Sequence, residues 1–235
     1  MYNESAVIEN TARTLFEYMT ANFESDEFEI IFADDGSSDG CGNLVRALDL
    51  PGVKVIGYEK NRGKGYAVRT AVLAAEGDIV MFTDADLAYG TDVIGRVCRT
   101  IDANPDTDAL IGSRNINKDG YEGYTALRKL MSKTYIKILC LVGGFKLSDS
   151  QCGCKAFRRE AVKRIFPRCE VDGFAFDFEA ILWATKYEMK IIEMPVKVVN
   201  SGESKVNIVK DTVKMLHDLG KMKKRISKEK IEKNQ

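Results

Sequence analysis

Three short polar clusters, each following an apolar run, carry the chemistry open to this sequence. The run FEIIFA (28–33) leads into Asp34-Asp35-Gly36-Ser37-Ser38-Asp39. The run DIVMFT (78–83) leads into Asp84-Ala85-Asp86, and DALIG (108–112) leads into Ser113-Arg114. Two carboxylates separated by one residue can offer oxygen ligands to Mg²⁺ or Mn²⁺, with diphosphate oxygens completing the shell. Taken alone, Asp-x-Asp is common, and the same residues serve as turn formers and helix caps. Its place directly after an apolar strand, with a second acidic strand end upstream, favours one shared crevice.

The elements that must position these clusters alternate along the chain. Residues 5–23 put Val7, Ile8, Leu15, Phe16, Met19 and Phe23 at spacings near 3.6, an amphipathic helix. Strands are expected at 28–33, 53–58, 78–83 and 108–112. Helices are expected from a cap at Ser37–Asp39 through Leu48, then over 64–75 and 91–104. Strands separated by single helices imply an α/β fold with a mostly parallel central sheet flanked by helices. Ligands of such sheets sit at the carboxyl ends of the strands, where the three clusters fall.

Composition narrows the classes further. The 235 residues carry 35 basic and 35 acidic side chains, which argues against a dedicated nucleic-acid binder. The balance conceals an asymmetry: residues 1–117 hold 10 Lys/Arg against 20 Asp/Glu, and residues 118–235 hold 25 against 15. An acidic front suits a metal or sugar site, and a basic back suits phosphate or a membrane surface. The single histidine, His217, excludes a multi-histidine metal site and makes a Ser-His-Asp hydrolase improbable. The 6 cysteines include Cys152-Gly153-Cys154 but no second such pair to build a zinc site, and they read as reduced, mostly buried thiols. No apolar run reaches the roughly 18 residues of a membrane span, and no signal peptide opens the chain.

Taken in order, YNES (2–5), ADDGSSDG (33–40), NRGKGYAVRTA (61–71), TDADL (83–87) and GSR (112–114) resemble the inverting, GT-A type glycosyltransferases of family 2. DSQCGCKAF (149–157), FAFDFEAI (174–181), EMPV (193–196) and GESKV (202–206) resemble the branch that glycosylates polyprenyl phosphates such as dolichyl phosphate. The pattern is nearer to its glucosyltransferases than to its mannose synthases, so UDP-glucose is the expected donor and GDP-mannose the alternative. Ala88, which cannot assist a metal, leans the same way. The likeness implies a single GT-A domain over 1–220, with a nucleotide-sugar half (1–117) and an acceptor half (118–220), then a basic, disordered tail (221–235). It also implies an opening strand before Tyr2, which this sequence lacks.

The resemblance assigns roles to the matched positions. Tyr2, Asn3, Glu4, Asp34, Asp35, Arg62, Lys64, Asp84, Ala85, Asp149 and Gln151 would surround the nucleotide sugar. Asp35 would hydrogen-bond the base, while Asp149 and Gln151 would border the sugar. Asp84 and Asp86 would bind the divalent metal. Asp86, Arg114 and Asp177 would serve the reaction, and Arg114, Arg128 and Ser132 would bind the acceptor phosphate. That acceptor, with a second pKa near about 6, is largely dianionic at neutral pH and needs no catalytic histidine. A metal would steady the leaving nucleoside diphosphate while arginines neutralise the nucleophile.

A lipid-linked acceptor requires a membrane surface. Residues 135–145 (YIKILCLVGGF) are apolar but too short to span, and 205–226 form an amphipathic stretch before Lys221, Lys223, Lys224 and Arg225. Peripheral attachment on the cytoplasmic face is therefore expected, with a packed helix and solvated basic terminus as the alternative. The same fold acting on a cell-surface glycan, and an inactive nucleotide-sugar-binding remnant, are the competing functions.

Overall fold

The computed structural model describes residues 1–117, 126–199 and 208–229, without the side chains of 126–133, 135 and 208–217. Helix α1 (Ile8–Asn22) buries Ile8, Thr11, Ala12 and Met19, one face of the predicted amphipathic helix. Strand β1 (Ile30–Asp34) and strand β2 (Val53–Gly57) pair in parallel across helix α2 (Cys41–Ala47). Helix α3 (Lys64–Ala74), strand β3 (Ile79–Phe82), helix α4 (Asp92–Asp102) and strand β4 (Ala109–Ser113) follow. In α4 the buried Val93, Val97 and Ile101 recur every four residues, with Arg96 and Thr100 half-buried against Pro195 and Met194.

The acceptor half adds helix α5 (Ala126–Gly143), strand β5 (Lys155–Arg158), helix α6 (Arg159–Ile165) and a 3₁₀ turn at Phe166–Arg168. Helix α7 (Phe176–Lys186), strand β6 (Ile191–Pro195) and helix α8 (Ile208–Lys228) complete it. The fold is α/β as expected, but the main sheet is mixed. Its order is β3-β5-β4-β6, and β5 runs antiparallel to both β3 and β4. With only Lys-Ala-Phe-Arg to read, β5 has too few residues to show a strand period.

Strands β1 and β2 form a sheet of their own. The Met1 ammonium donates to Ala33 O at 2.6 Å, and the Met1 carbonyl accepts from Asp35 N at 3.0 Å. Residue 1 thus lies along the free edge of β1, where the family resemblance places an opening strand.

The largest core lies between the main sheet and helices α5–α8, and contains Val80, Ile111, Phe157, Phe166, Phe178 and Trp183. Helix α7 is apolar on almost every side because it is enclosed there. The basic stretch expected to be a loose tail is helical through Lys228. Met222 and Ile226 continue the apolar stripe of Leu219 at helical spacing, and all three are buried. Lys223 donates to Val142 O at 2.9 Å, and Lys186 donates to Ile226 O and Glu229 O at the end of α8. Residues 230–235 lie outside the described residues. Among those described, no helix is long and apolar enough to cross a membrane.

Candidate active site

The end of β1 is built as a holder for the loop before α3. Asp35 is buried, and its carboxylate accepts from Tyr58 OH at 2.7 Å, Asn61 Nδ2 at 2.9 Å, Arg62 N at 2.8 Å and Gly63 N at 3.0 Å. A carboxylate so engaged anchors the Asn61–Lys64 loop, so reading a base would require it to share those donors. Asp34 turns the other way. Its Oδ1 accepts from Ser37 N at 3.0 Å, and a side chain at Gly42 would strike its Oδ2 at 2.4 Å. Asp34 therefore closes the turn into α2.

Residues 2–5 are sewn to the same loop. Asn3 N donates to Ser37 Oγ at 3.1 Å, Asn3 Oδ1 accepts from Ser38 N at 3.0 Å, and Ser5 N donates to Asp39 at 2.7 Å. Backbone bonds from Ser5 N and Cys41 N hold the Asp39 carboxyl down at about 2. The Glu4 carbonyl receives Val7 N and Ile8 N at the start of α1. Tyr2 is exposed beside them. Ala85 accepts from Thr11 Oγ1 through its carbonyl at 2.8 Å, which ties the Asp84–Asp86 turn to α1.

At the end of β3, Lys64 reaches across from α3 to ion-pair with Asp84. Burial works to lower the Lys64 pKa, but Asp84, Asp177 and Asp86 outweigh it and raise the net value. Burial and the adjacent Asp84 charge push the Asp86 carboxyl up. Burial also pushes Asp177 up, against the opposing pull of Lys155 and Lys64. Lys155 is wholly buried on β5, 2.8 Å from Asp177 Oδ1, and gives its hydrogen bond to Cys152 O. Asp177 Oδ1 is left buried with no hydrogen bond. Neighbouring carboxylates, each disfavoured as an anion where it sits, are suited to a hard divalent cation.

Among the described residues no group of three His, Cys, Asp or Glu side chains already converges to hold such an ion. Cys152 and Cys154 do not supply one: burial raises both thiols, Cys154 to about 12, which keeps them protonated and inert. Gly153 between them has another purpose. A Cβ there would meet Asp84 Oδ2 at 2.2 Å, so only glycine leaves room for the carboxylate. Gly153→Ala is expected to displace Asp84 and weaken Mn²⁺-dependent UDP binding about tenfold or more, with the fold intact. Calorimetric titration of UDP with Mn²⁺ checks this.

At the end of β4, Arg114 is clamped by Asp149. Its Nε lies 2.6 Å from Oδ2, its Nη2 3.0 Å from Oδ1, and its backbone N 3.1 Å from Oδ2. The Asp149 side chain is 0% exposed and is given to orienting Arg114. Behind it stands Glu193 of β6, whose Oε1 accepts from Ser148 N at 2.8 Å, Ser148 Oγ at 2.7 Å and Asp149 N at 3.2 Å. Beside Arg114, a cavity of about 640 Å³ is lined by Asn115, Ile136, Lys137, Phe145 and Ser148, among others.

The structure thus brings Lys64, Asp84, Asp86 and Asp177 into one charged group at the end of β3 and sets Arg114 at the end of β4, on the other side of β5. Gln151, half-buried, lies on the segment between Asp149 and Cys152. Arg128 and Ser132 fall on α5, but their side chains lie outside the described residues. Sequence reasoning missed the supporting residues Tyr58, Asn61, Lys155 and Glu193. A lysine inside the otherwise apolar Cys154–Phe157 stretch was the one available signal, because a buried lysine demands a partner.

The Glycosyl transferase family 2 profile matches residues 1–166. A relative from Trichomonas vaginalis called dolichyl-phosphate beta-glucosyltransferase ALG5C is 31% identical, over 93% of this chain and 67% of its own length. The dolichyl-phosphate beta-glucosyltransferase of Saccharomyces cerevisiae is 29% identical, over 93% of this chain and 70% of its own. Glucosyl-3-phosphoglycerate synthase from Mycobacterium tuberculosis, solved with Mn²⁺, UDP and phosphoglyceric acid, superposes with a TM-score of 0.70 at 16% identity. That superposition covers 99% of this chain and 78% of the synthase, and the shared architecture is GT-A. The chain is a glycosyltransferase and belongs to glycosyl transferase family 2.

Proposed function

We propose that this glycosyltransferase moves glucose from UDP-glucose to a polyprenyl phosphate of the dolichyl type, with inversion at the anomeric carbon. The observation that carries the reading is the presence of two charged centres at the ends of β3 and β4, the two strands that flank β5. The Lys64–Asp84–Asp86–Asp177 group suits a diphosphate with its cation, and the clamped Arg114 suits a second anion. The names of the relatives, matched along nearly the whole chain, support glucose and a dolichyl phosphate.

Asp84 and Asp86 would hold the divalent cation, Mg²⁺ or Mn²⁺, which supplies charge neutralisation to the departing UDP. Lys64 brings a second positive charge to the diphosphate, and the Asn61–Lys64 backbone lies against the nucleotide. Arg114 draws the acceptor phosphate to the far face of the sugar, joined in this reading by Arg128 and Ser132. The acceptor oxygen forms its bond to the anomeric carbon as the bond to UDP breaks, which inverts the centre. No proton need be abstracted from a phosphate already dianionic. Asp177, buried and held by Lys155, borders the sugar or completes the cation's shell.

A membrane surface fits the acceptor. On α5 the exposed Ile138 and Leu141 stand near Lys137, and Lys223 and Lys224 of α8 continue the basic character. We place the enzyme peripherally on a cytoplasmic face, where its free cysteines suit a reducing compartment. Incubation with labelled UDP-glucose, GDP-mannose and UDP-N-acetylglucosamine, each with a short polyprenyl phosphate and Mn²⁺, tests the donor. Label from UDP-glucose should enter the organic phase at least tenfold faster than the others. Faster labelling from GDP-mannose would overturn the glucosyl reading.

A further inference from the structure

We infer that Arg225, near the end of the chain's last helix, is a positioning residue for the donor site, acting through Glu179 and the turn at 170–173. The inference rests on the proposed role of the Asn61–Lys64 loop in holding the nucleotide.

Glu179 on α7 is wholly buried, an expensive position for a carboxylate unless every oxygen is partnered. One oxygen, Oε2, accepts from Glu170 N at 2.8 Å and Val171 N at 2.7 Å. The other, Oε1, takes the guanidinium of Arg225, which also grips the Glu170 carboxylate. The turn fixed in this way presses directly on the donor loop. Asp172 O accepts from Gly65 N at 2.8 Å and Tyr66 N at 3.2 Å, and Asp172 Oδ1 pairs with Arg69 at 2.7 Å.

The fit tolerates no slack. A Cβ at Gly63 would meet Asp172 O at 2.4 Å, and one at Gly65 would meet Val171 O at the same distance. Gly63 also has φ +105°, open to glycine alone. From the opposite side Asp35 holds Arg62 N and Gly63 N. The loop is therefore caught between two carboxylate-anchored turns, and the second is anchored through α8. Lys64 leaves this loop to reach Asp84, and Asp177 stands in the first turn of α7, just after the 170–173 turn and two residues before Glu179. A shift of the 170–173 turn would reach both.

UDP binding with Mn²⁺, measured by calorimetry on the full chain, tests the relay, with donor KM and kcat measured in parallel. Arg225→Ala should raise the UDP Kd and the donor KM together by about five- to tenfold, while kcat changes less than about twofold. Arg225→Lys, which keeps the charge but not the fork, should fall between. Lys228→Ala, at an exposed position on the same helix, should bind UDP as the unaltered chain does.

Should Arg225→Ala fail to fold, Arg225→Lys and Glu170→Ala decide, each with an expected twofold or greater loss of UDP affinity. A folded Arg225→Ala protein with lowered Tm and unchanged UDP Kd would reduce the pair to a structural tie and overturn the relay. If the unaltered chain binds no UDP, the donor-loop reading itself falls, and the relay falls with it.

Discussion

Replacing Asp86 with alanine is expected to lower kcat by about 10³-fold or more while the protein stays folded. The side chain sits on the rim of the β3 turn, where partial desolvation and the Asp84 charge raise its pKa. It is therefore a poor contributor to stability and a good cation ligand. Metal stabilisation of a leaving diphosphate is worth several kcal/mol, and each ~1.4 kcal/mol is tenfold in rate. Single-turnover kinetics with saturating donor, alongside circular dichroism, checks both halves of the expectation. A folded Asp86→Ala enzyme within tenfold of the unaltered rate would remove Asp86 from the cation site.

Asp149→Asn is expected to cost both stability and rate. Arg114 is held by three contacts from that one carboxylate, and the net effect of Asp149 is to raise the guanidinium pKa well above its ordinary value against the cost of burial. Breaking a buried pair by neutralising one member costs about 3–5 kcal/mol. A guanidinium no longer aimed at the acceptor phosphate should lose about 10²- to 10³-fold in kcat/KM. Because Asp149 acts through Arg114, Arg114→Ala and the double variant with Asp149→Ala should have equal activity. Additive losses in that double-mutant cycle would give Asp149 a separate task at the sugar.

The nucleotide half was readable from sequence because its elements are regular. Helices α1 and α4 carry clean apolar stripes, and β1, β3 and β4 are apolar runs that lead to Asp34, Asp84 and Ser113 at the site edge. The acceptor half was not, for identifiable reasons. Strand β5 is four residues long and includes a buried lysine whose partner, Asp177, is distant in sequence. The register of α8 past Leu219 hinges on Met222 and Ile226, which are diluted among lysines.

The candidate site divides the same way. Asp84, Asp86 and Arg114 could be found from their place after apolar strands. The turning away of Asp34, the burial of Asp149 and the support from Glu193 depend on side-chain directions that spacing does not encode.

Glucosyl transfer to a lipid phosphate is the central claim, and UDP release measures it most directly. The full chain, given UDP-glucose and Mn²⁺, should release UDP at least 10²-fold faster when a short polyprenyl phosphate is present than when the corresponding polyprenyl alcohol replaces it. Equal release with phosphate, alcohol or no acceptor would contradict the account.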